Sequence, residues 1–268
     1  MTVGAFAAAV VPLAWPGAPG LVLVPLAILA AAAAGGAWGA VPGLLRAHRG
    51  GHEVLNTIMM NFIAAGLTGY LTVHVLRPAG EMIPQTPEIA AASWIPRLGV
   101  LPGSPVSAAS PANAAFFLAL ACAALVAWTL ARTPFGLEVR ARGEGERAAR
   151  VAGMPVARAT VLAMAVAGAL AGLAGVNEVL GFRHRFLDNF AGGVGFLGIA
   201  VALLGRGRAG GVLLAAFWFA ILNAAAVEVD LSTDIPRELF VVVQAAILGL
   251  AAAGDDLAAR LMPRRAAA

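Results

Sequence analysis

The sequence predicts an all-α protein, a polytopic bundle of membrane-spanning helices. Its 268 residues are 60% hydrophobic and only 12% charged, about half the charged share of a soluble domain. The apolar residues fall in long runs, and a hydrocarbon core of about 30 Å takes roughly 20 helical residues to cross. Glycine is frequent, with 32 residues, and aromatic residues make up 7%, as expected where helices pack closely in lipid.

Seven apolar runs are predicted to cross the membrane within one domain, residues 1–268. Six of them are Leu21–Leu45, Val54–Leu76, Ala114–Ala131, Ala159–Gly181, Gly210–Val227 and Leu239–Ala253. The seventh, Val194–Leu204, is counted as a crossing that extends back to about Phe190 and is broken by glycines. A short apolar segment, Gly4–Leu13, precedes the first span, and we expect it to be a half-helix or a re-entrant segment.

The arginines predict the orientation of the chain. All 18 basic residues are Arg, and six of them lie in the hydrophilic loop 132–158. Cytoplasmic loops carry an excess of positive charge. With that loop inside, alternation places 13 Arg inside and five outside, so the C-terminal tail 254–268 is cytoplasmic and the loop 77–113 is external. If residues 190–204 re-enter instead of crossing, the C-terminus changes side.

The net charge of +4 is also compatible with a nucleic-acid-binding protein. However, the arginines lie in short loops at one predicted membrane face and are not interleaved with aromatic residues, as they are in proteins that bind single strands. We therefore expect the lipid bilayer, and not nucleic acid, to be the partner of this charge pattern.

Small residues at regular spacing predict helix contacts. Gly35, Gly39 and Gly43 recur every four residues in one span, and Gly168 and Gly172 do so in another. Such ridges let two helix backbones approach closely in lipid. The alternative is that a sequence rich in alanine and glycine produces the spacing by chance.

Motifs of catalysis are missing from the sequence. It contains no P-loop, no HExxH and no GxSxG, its four histidines are scattered, and Cys122 is its single cysteine. These motifs mark phosphate-binding loops, zinc proteases and serine hydrolases. We therefore predict a protein that is not an enzyme, with no catalytic residue, no cofactor and no metal site.

Polar side chains inside the apolar spans are the candidates for a substrate pathway, because unpaired polar groups in lipid are costly and usually face the bundle interior. The candidates are Asn56, Thr57, Asn61, Asn177, Glu178 and Gln244. Interhelical hydrogen bonding is the alternative explanation for the amides. Glu178 is alternatively an interfacial residue paired with Arg183 or Arg185.

The loop 132–158 is predicted to contain a short helix over residues 146–152. Gly143 and Gly145 precede this segment, and Gly153 and Pro155 follow it, so breakers bound it on both sides. A short charged helix between two spans is suited to docking onto a cytoplasmic partner. The alternative is a solvated loop whose arginines serve only to orient the chain.

The two regions just described resemble the permease subunits of ABC importers in the branched-chain amino acid, ribose and nucleoside permease family. Residues 52–64, HEVLNTIMMNFIA, are similar to a motif of the nucleoside and simple-sugar branch, and Phe135–Met154 is similar to the family's coupling segment. Residues 169–181, ALAGLAGVNEVLG, and 195–205, GFLGIAVALLG, also fit. The resemblance extends over nearly the whole chain.

This resemblance implies a permease for nucleosides or simple sugars in the bacterial plasma membrane. Its implied partners are ATP-binding subunits, a second related permease subunit and an extracytoplasmic solute-binding protein. By this resemblance, the short helix corresponds to the cytoplasmic coupling helix of the family. Asn61 and Glu178 correspond to polar positions of the translocation domain. The implied coupling residues are Arg142, Gly143, Arg147, Ala148, Ala149, Arg150 and Gly153.

Two other functions are also compatible with the sequence. One is a permease for branched-chain amino acids, and the other is a secondary transporter that works without ATPases. A secondary transporter is expected to carry ionisable residues at mid-span as ion or proton relays, whereas the deep polar groups here are amides.

The chain departs from the family pattern at three points. Gly145 stands where the family usually has Asn, which removes a capping side chain from the coupling helix. Leu197 occupies a site that is often polar. Family members also usually begin with additional spans, so we expect an N-terminally short chain, from a misassigned start or a shortened form.

Overall fold

The computed structural model describes residues 1–100, 110–233, 238–247 and 249. The chain forms two compact units, residues 1–192 and 193–268, and each is described by itself. Regular structure in the described ranges is helical, and paired extended backbone there is limited to two isolated bridges. The predicted all-α class is confirmed. That the chain forms one domain over 1–268 stays a prediction.

Unit 1 follows the order of apolar runs in the sequence. Its described α-helices are α1 (Thr2–Ala14), α2 (Gly20–Arg49), α3 (Glu53–Leu71), α4 (Ala115–Arg132), α5 (Pro134–Glu144), α6 (Glu146–Val151) and α7 (Val156–Val176). Two of them continue without a break into a wider π-helical turn, α3 through Thr72–Leu76 and α7 through Asn177–Arg183.

Unit 2 contains α8 (Val194–Leu204), α9 (Ala209–Ser232) and α10 (Glu238–Ile247). The connection between α8 and α9 is tight, because Gly205 lies against the backbone of Val212 where a Cβ would overlap it. Part of the predicted last span lies outside the described residues, and so does the whole tail 254–268.

In the described part of the chain, five helical segments are long and apolar enough to cross a bilayer. They are Gly20–Arg49, Glu53–Leu76, Ala115–Arg132, Val156–Arg183 and Ala209–Ser232. Many of their large apolar side chains are exposed, among them Leu21 at 89% and Leu214 at 74%. Exposed apolar surface on this scale is expected of helices that face lipid. Five predicted spans are therefore found, whereas the count of seven crossings is not confirmed.

The predicted break at Gly192 and Gly193 is found, but the predicted extension of α8 back to about Phe190 is not helical. Residues 190–193 form turns, and Gly192 and Gly193 have φ of +42° and +91°, which a right-handed helix cannot contain. The helix therefore begins at Val194 and has 11 residues. At a rise of 1.5 Å per residue it reaches about 16 Å, roughly half of a hydrocarbon core.

The most extensive helix contact in unit 1 joins α2 and α7. The predicted glycine ridges meet here: a Cβ on Gly35, Gly39, Gly168 or Gly172 would come closer than 3 Å to backbone atoms of the facing helix. Gly43 continues the same contact against Val161 of α7. Since lipid tails are as apolar as side chains, close van der Waals packing of this kind stabilises helix pairs in membranes.

One end of unit 1, called here the loop end, is covered by the segment between α3 and α4. Residues 84–89 run antiparallel to 184–188, with the Thr86 amide donating to the Phe186 carbonyl at 2.9 Å. The Phe186 side chain is fully buried and lies edge-on to the ring of Phe6 in α1, with centroids 5.4 Å apart. The described part of this loop is thus packed onto α1 and the end of α7.

The opposite end carries α5 and α6. The Thr133 hydroxyl accepts a hydrogen bond from the Gly136 amide at 3.1 Å, and Pro134 opens the helix, so both signals start α5. Helix α6 then begins after Gly145, which supplies no side-chain cap, and Gly153 follows it with φ of +77°. The predicted short helix is confirmed, and α5 is an additional helix that was not predicted.

Candidate functional site

A cavity of about 410 Å³, called here the main cavity, opens between α1, α2, α3 and α7 of unit 1. Small-molecule sites in proteins occupy roughly 300–1,000 Å³. Its walls are largely small or apolar, and the more polar or aromatic side chains are few. These are Thr2, Trp38, Glu53, Thr57, Asn61 and Arg142.

One face of α3 supplies most of the polar groups of this cavity. Glu53, Thr57 and Asn61 follow one another at intervals of four residues, and residues at that spacing lie on the same face of a helix. The Thr57 hydroxyl donates to the Glu53 carbonyl at 3.1 Å. Asn61 is exposed, and its amide has no hydrogen-bond partner among the described residues. It therefore presents a donor and an acceptor to the cavity.

The opposite wall comes from α2 and α7. Gly35, Gly39 and Gly168 line it, and the missing side chains leave room beside the helix contact. The indole of Trp38 forms part of the same wall and donates from Nε1 to the Met60 carbonyl at 3.3 Å. This bond fastens α3 to α2 next to the cavity, and the indole face offers a flat apolar surface to a ligand.

An ion pair lies at the end of the main cavity nearest α5 and α6. Arg142 of α5 approaches Glu53 of α3 with 3.9 Å between Nη2 and Oε2, and both residues line the cavity. The Arg142 Nε is buried and has no hydrogen-bond partner within the part of the chain that the structure describes. At 3.9 Å the contact is an ion pair without a hydrogen bond.

A second, smaller cavity of about 250 Å³ lies beyond this ion pair. It is lined by Arg46, Arg142, Glu146 and Arg150 together with the first turn of α7. Glu146 pairs with Arg150 at 2.9 Å and with Arg46 at 3.9 Å. We call the part of unit 1 that holds these residues the basic end.

The other predicted pathway residues lie away from the main cavity. Asn177 accepts a hydrogen bond from Asn113 at 2.9 Å near the loop end, and Glu178 pairs with Arg183. Asn56 lies against Gly51, and its Nδ2 is buried without a hydrogen-bond partner among the residues described. Gln244 belongs to unit 2, where it is 3% exposed. A pathway role for these four residues stays a prediction.

The described residues contain no group of three or more His, Cys, Asp or Glu side chains that could hold a metal ion. The side-chain chemistry available in the main cavity is therefore hydrogen bonding by the Asn61 amide and the hydroxyls of Thr2 and Thr57, apolar contact, and a single ion pair. Such a lining suits reversible binding of a small solute.

Comparison with known proteins decides the family. The family described as "Branched-chain amino acid transport system / permease component" matches residues 1–252. The chain belongs to this permease family. The resemblance found in the sequence is thereby confirmed, and no solved structure matches the chain.

Three curated relatives illustrate the likeness. The guanosine ABC transporter permease protein NupP of Bacillus subtilis is 37% identical over 86% of the chain and 65% of its own length. The glucose ABC transporter permease protein TsgB13 of Haloferax volcanii is 32% identical over 86% and 61%. The nucleoside ABC transporter permease protein NupB of Lactococcus lactis is 32% identical over 88% and 65%. The chain thus spans between three fifths and two thirds of these permeases.

The predicted coupling residues of this permease-family chain lie on α5 and α6, except Gly153, which follows α6. Arg147 and Ala148 are exposed, while Ala149 is 4% exposed and holds α6 against the rest of unit 1. Arg150 pairs with Glu146 one turn earlier. Arg147 has no ion pair with a described residue, so its charge is available to a partner.

Sequence reasoning missed two prominent residues of the main cavity, Trp38 and Glu53. Glu53 carries a usable signal, because it precedes Thr57 by one helical turn on the same face of α3. Trp38 lies beside Gly39 in the glycine ridge, and nothing in the local sequence indicates that its ring turns toward α3.

Proposed function

We propose that the chain is the membrane permease of an ABC-type importer for nucleosides or simple sugars. The main cavity carries the proposal: a site of small-molecule size, lined by Thr57 and Asn61, beside the exposed α5–α6 segment. ATP hydrolysis is assigned to separate ATP-binding subunits that dock on that segment. An extracytoplasmic solute-binding protein delivers the ligand, and a second related permease completes the pathway.

The charges of the cavity support an uncharged solute. Glu53 and Arg142 are paired with each other, so the remaining polar side chains of the lining are neutral and suit hydroxyls or the edges of a base. The relatives named for guanosine, glucose and nucleosides agree with this class. A zwitterionic amino acid would have to separate the ion pair to satisfy both of its charges.

Asn61→Leu is expected to lower uptake of a nucleoside or glucose about two- to tenfold, the loss that follows from removing one or two hydrogen bonds. The measurement is uptake of radiolabelled guanosine, uridine, glucose and leucine into proteoliposomes that hold the full transporter, with and without ATP. The matched control is Phe62→Leu, one residue along α3 and outside the cavity lining, where Phe62 is 69% exposed.

Three outcomes would contradict the proposed function. Uptake without ATP would favour a secondary transporter, and uptake of leucine alone would favour a branched-chain amino acid permease. Equal uptake by Asn61→Leu and Phe62→Leu would remove the main cavity from the pathway.

We further propose that the basic end faces the cytoplasm. The predicted inside loops hold 13 of the 18 Arg, in line with the positive-inside rule. The proposal puts α5 and α6 where ATP-binding subunits can reach them and puts the loop end toward the solute-binding protein.

This orientation predicts opposite labelling of two cysteine variants in a Cys122→Ala background, which removes the only native thiol. Met82→Cys, at a loop-end position that is 94% exposed, should react with a membrane-impermeant maleimide in intact cells. Arg49→Cys at the exposed C-terminus of α2 should react only after permeabilisation. The reverse labelling pattern would show that the chain has the opposite orientation in the membrane.

A further inference from the structure

Arg142 lies between the two cavities of unit 1. Its side chain lines the main cavity and also the smaller basic-end cavity. Among the described residues, no other one lines both. Arg142 therefore forms part of the partition that separates the solute-sized space from the basic end.

The partner of Arg142 lies on the helix that carries the cavity's polar groups. Glu53 begins α3, one turn before Thr57 and two turns before Asn61. Arg142 in turn lies near the end of α5, and only Gly145 separates α5 from α6. The Glu53–Arg142 pair thus links the cavity wall directly to the segment on which a partner would act.

We propose that Glu53 and Arg142 form a gate that closes the main cavity at its basic end. Movement of α5 and α6 withdraws Arg142 from Glu53 and joins the two cavities into one continuous exit. The inference rests on the proposed transport function. It adds to that function the two residues whose contact keeps the main cavity closed at its basic end.

The geometry of the pair fits a gate better than a structural bond. The charged atoms are 3.9 Å apart, and the side chains of Arg142 and Glu53 are 22% and 45% exposed. A pair this long and this accessible to water contributes little to stability, so a modest motion of α5 separates it. The unpartnered Nε of Arg142 shows that this guanidinium is held by few bonds in its present position.

Thiol accessibility tests the gate without knowledge of the substrate. Asn61→Cys is introduced into the complete transporter in a Cys122→Ala background, and its reaction with a charged, membrane-impermeant methanethiosulfonate is timed from the basic-end side. Adding Glu53→Gln, or Arg142→Gln, should raise the labelling rate about two- to fivefold, as expected for loss of one partly exposed ion pair. The charge-reversed pair, Glu53→Arg with Arg142→Glu, should restore slow labelling.

Arg49→Cys is the matched control, since it lies at the exposed end of α2 outside both cavities. The vesicle orientation is the one in which Arg49→Cys labels rapidly, and this rate should be the same in all gate variants. If neither Glu53→Gln nor Arg142→Gln changed the labelling rate of Asn61→Cys, the gate proposal would be overturned. Gated labelling of Asn61→Cys, together with no ATP-driven uptake by vesicles that hold the unmodified chain in the complete transporter, would keep the gate and reject the proposed transport function.

Discussion

Gly168→Leu is expected to prevent unit 1 from assembling. A Cβ at Gly168 would come closer than 3 Å to Gly39 and to the carbonyl oxygen of Gly35, and both contacts are with backbone. Overpacking of a core costs about 1–3 kcal/mol and occasionally more, and backbone atoms cannot move aside as a flexible side chain can. The variant should lose its monodisperse peak in detergent or unfold at a much lower temperature, as measured by fluorescence-detected size-exclusion chromatography after heating.

The matched control is Gly66→Leu in α3. No heavy atom of a described residue lies within 4 Å of a Cβ at Gly66, and leucine is a better helix former than glycine, so this variant should be as stable as the parent or more so. If the two variants behaved alike, the close approach of α2 and α7 would not be what holds unit 1 together.

Replacement of Arg147 by Glu and of Gly153 by Val should abolish stimulation of ATP hydrolysis by the permease. Gly153 has φ of +77°, a conformation in which a β-branched residue costs roughly 1–3 kcal/mol, so the end of α6 is disturbed. Arg147 is exposed and has no ion pair with a described residue, so reversing its charge acts on a partner. We expect at least a tenfold loss, equivalent to about 1.4 kcal/mol of coupling, in ATPase assays of the reconstituted transporter.

Gly80→Val is the matched control, because it introduces the same kind of backbone strain outside the segment proposed to dock. Gly80 has φ of +89°, and a Cβ there would meet no atom of the described residues within 4 Å. It lies in the segment between α3 and α4 and not on α5 or α6. This control should insert and stimulate ATP hydrolysis like the parent. Normal stimulation by the Arg147 and Gly153 double variant, with normal membrane insertion, would remove the docking role of α6.

Helices with long apolar runs could be predicted from the sequence because length and composition alone decide whether a segment can span a bilayer. Helices α2, α3, α4, α7 and α9 are of this kind. The short α6 could also be predicted, because glycines mark both of its ends. Helix α5 was missed even though Thr133 and Pro134 form a start signal, because its charged side chains give it no apolar face.

The start of α8 illustrates a different limit. Gly192 and Gly193 can sit inside a membrane helix or end one, and the sequence does not distinguish the two. In the structure both glycines have positive φ values, so the helix begins only at Val194. The backbone conformation of these two residues therefore decides that α8 does not extend back to Phe190.

The candidate site could be predicted only where its residues share one helix. Thr57 and Asn61 stood out as polar residues one turn apart in an apolar span. The approach of Arg142 to Glu53 depends on how α5 returns to the start of α3, and no local pattern encodes it. The same holds for Asn177, whose bond to Asn113 joins distant parts of the chain.

The glycine contact between α2 and α7 also determines which parts of unit 1 are free to move. Backbones in direct contact along several turns cannot slide or tilt without collision, so these two helices behave as a fixed axis. Helix α5, by contrast, reaches α3 through one long ion pair. A change of shape in unit 1 should therefore move the α5–α6 segment about this axis, while the Trp38–Met60 bond holds α3 to α2 and the distance between α2 and α7 stays unchanged.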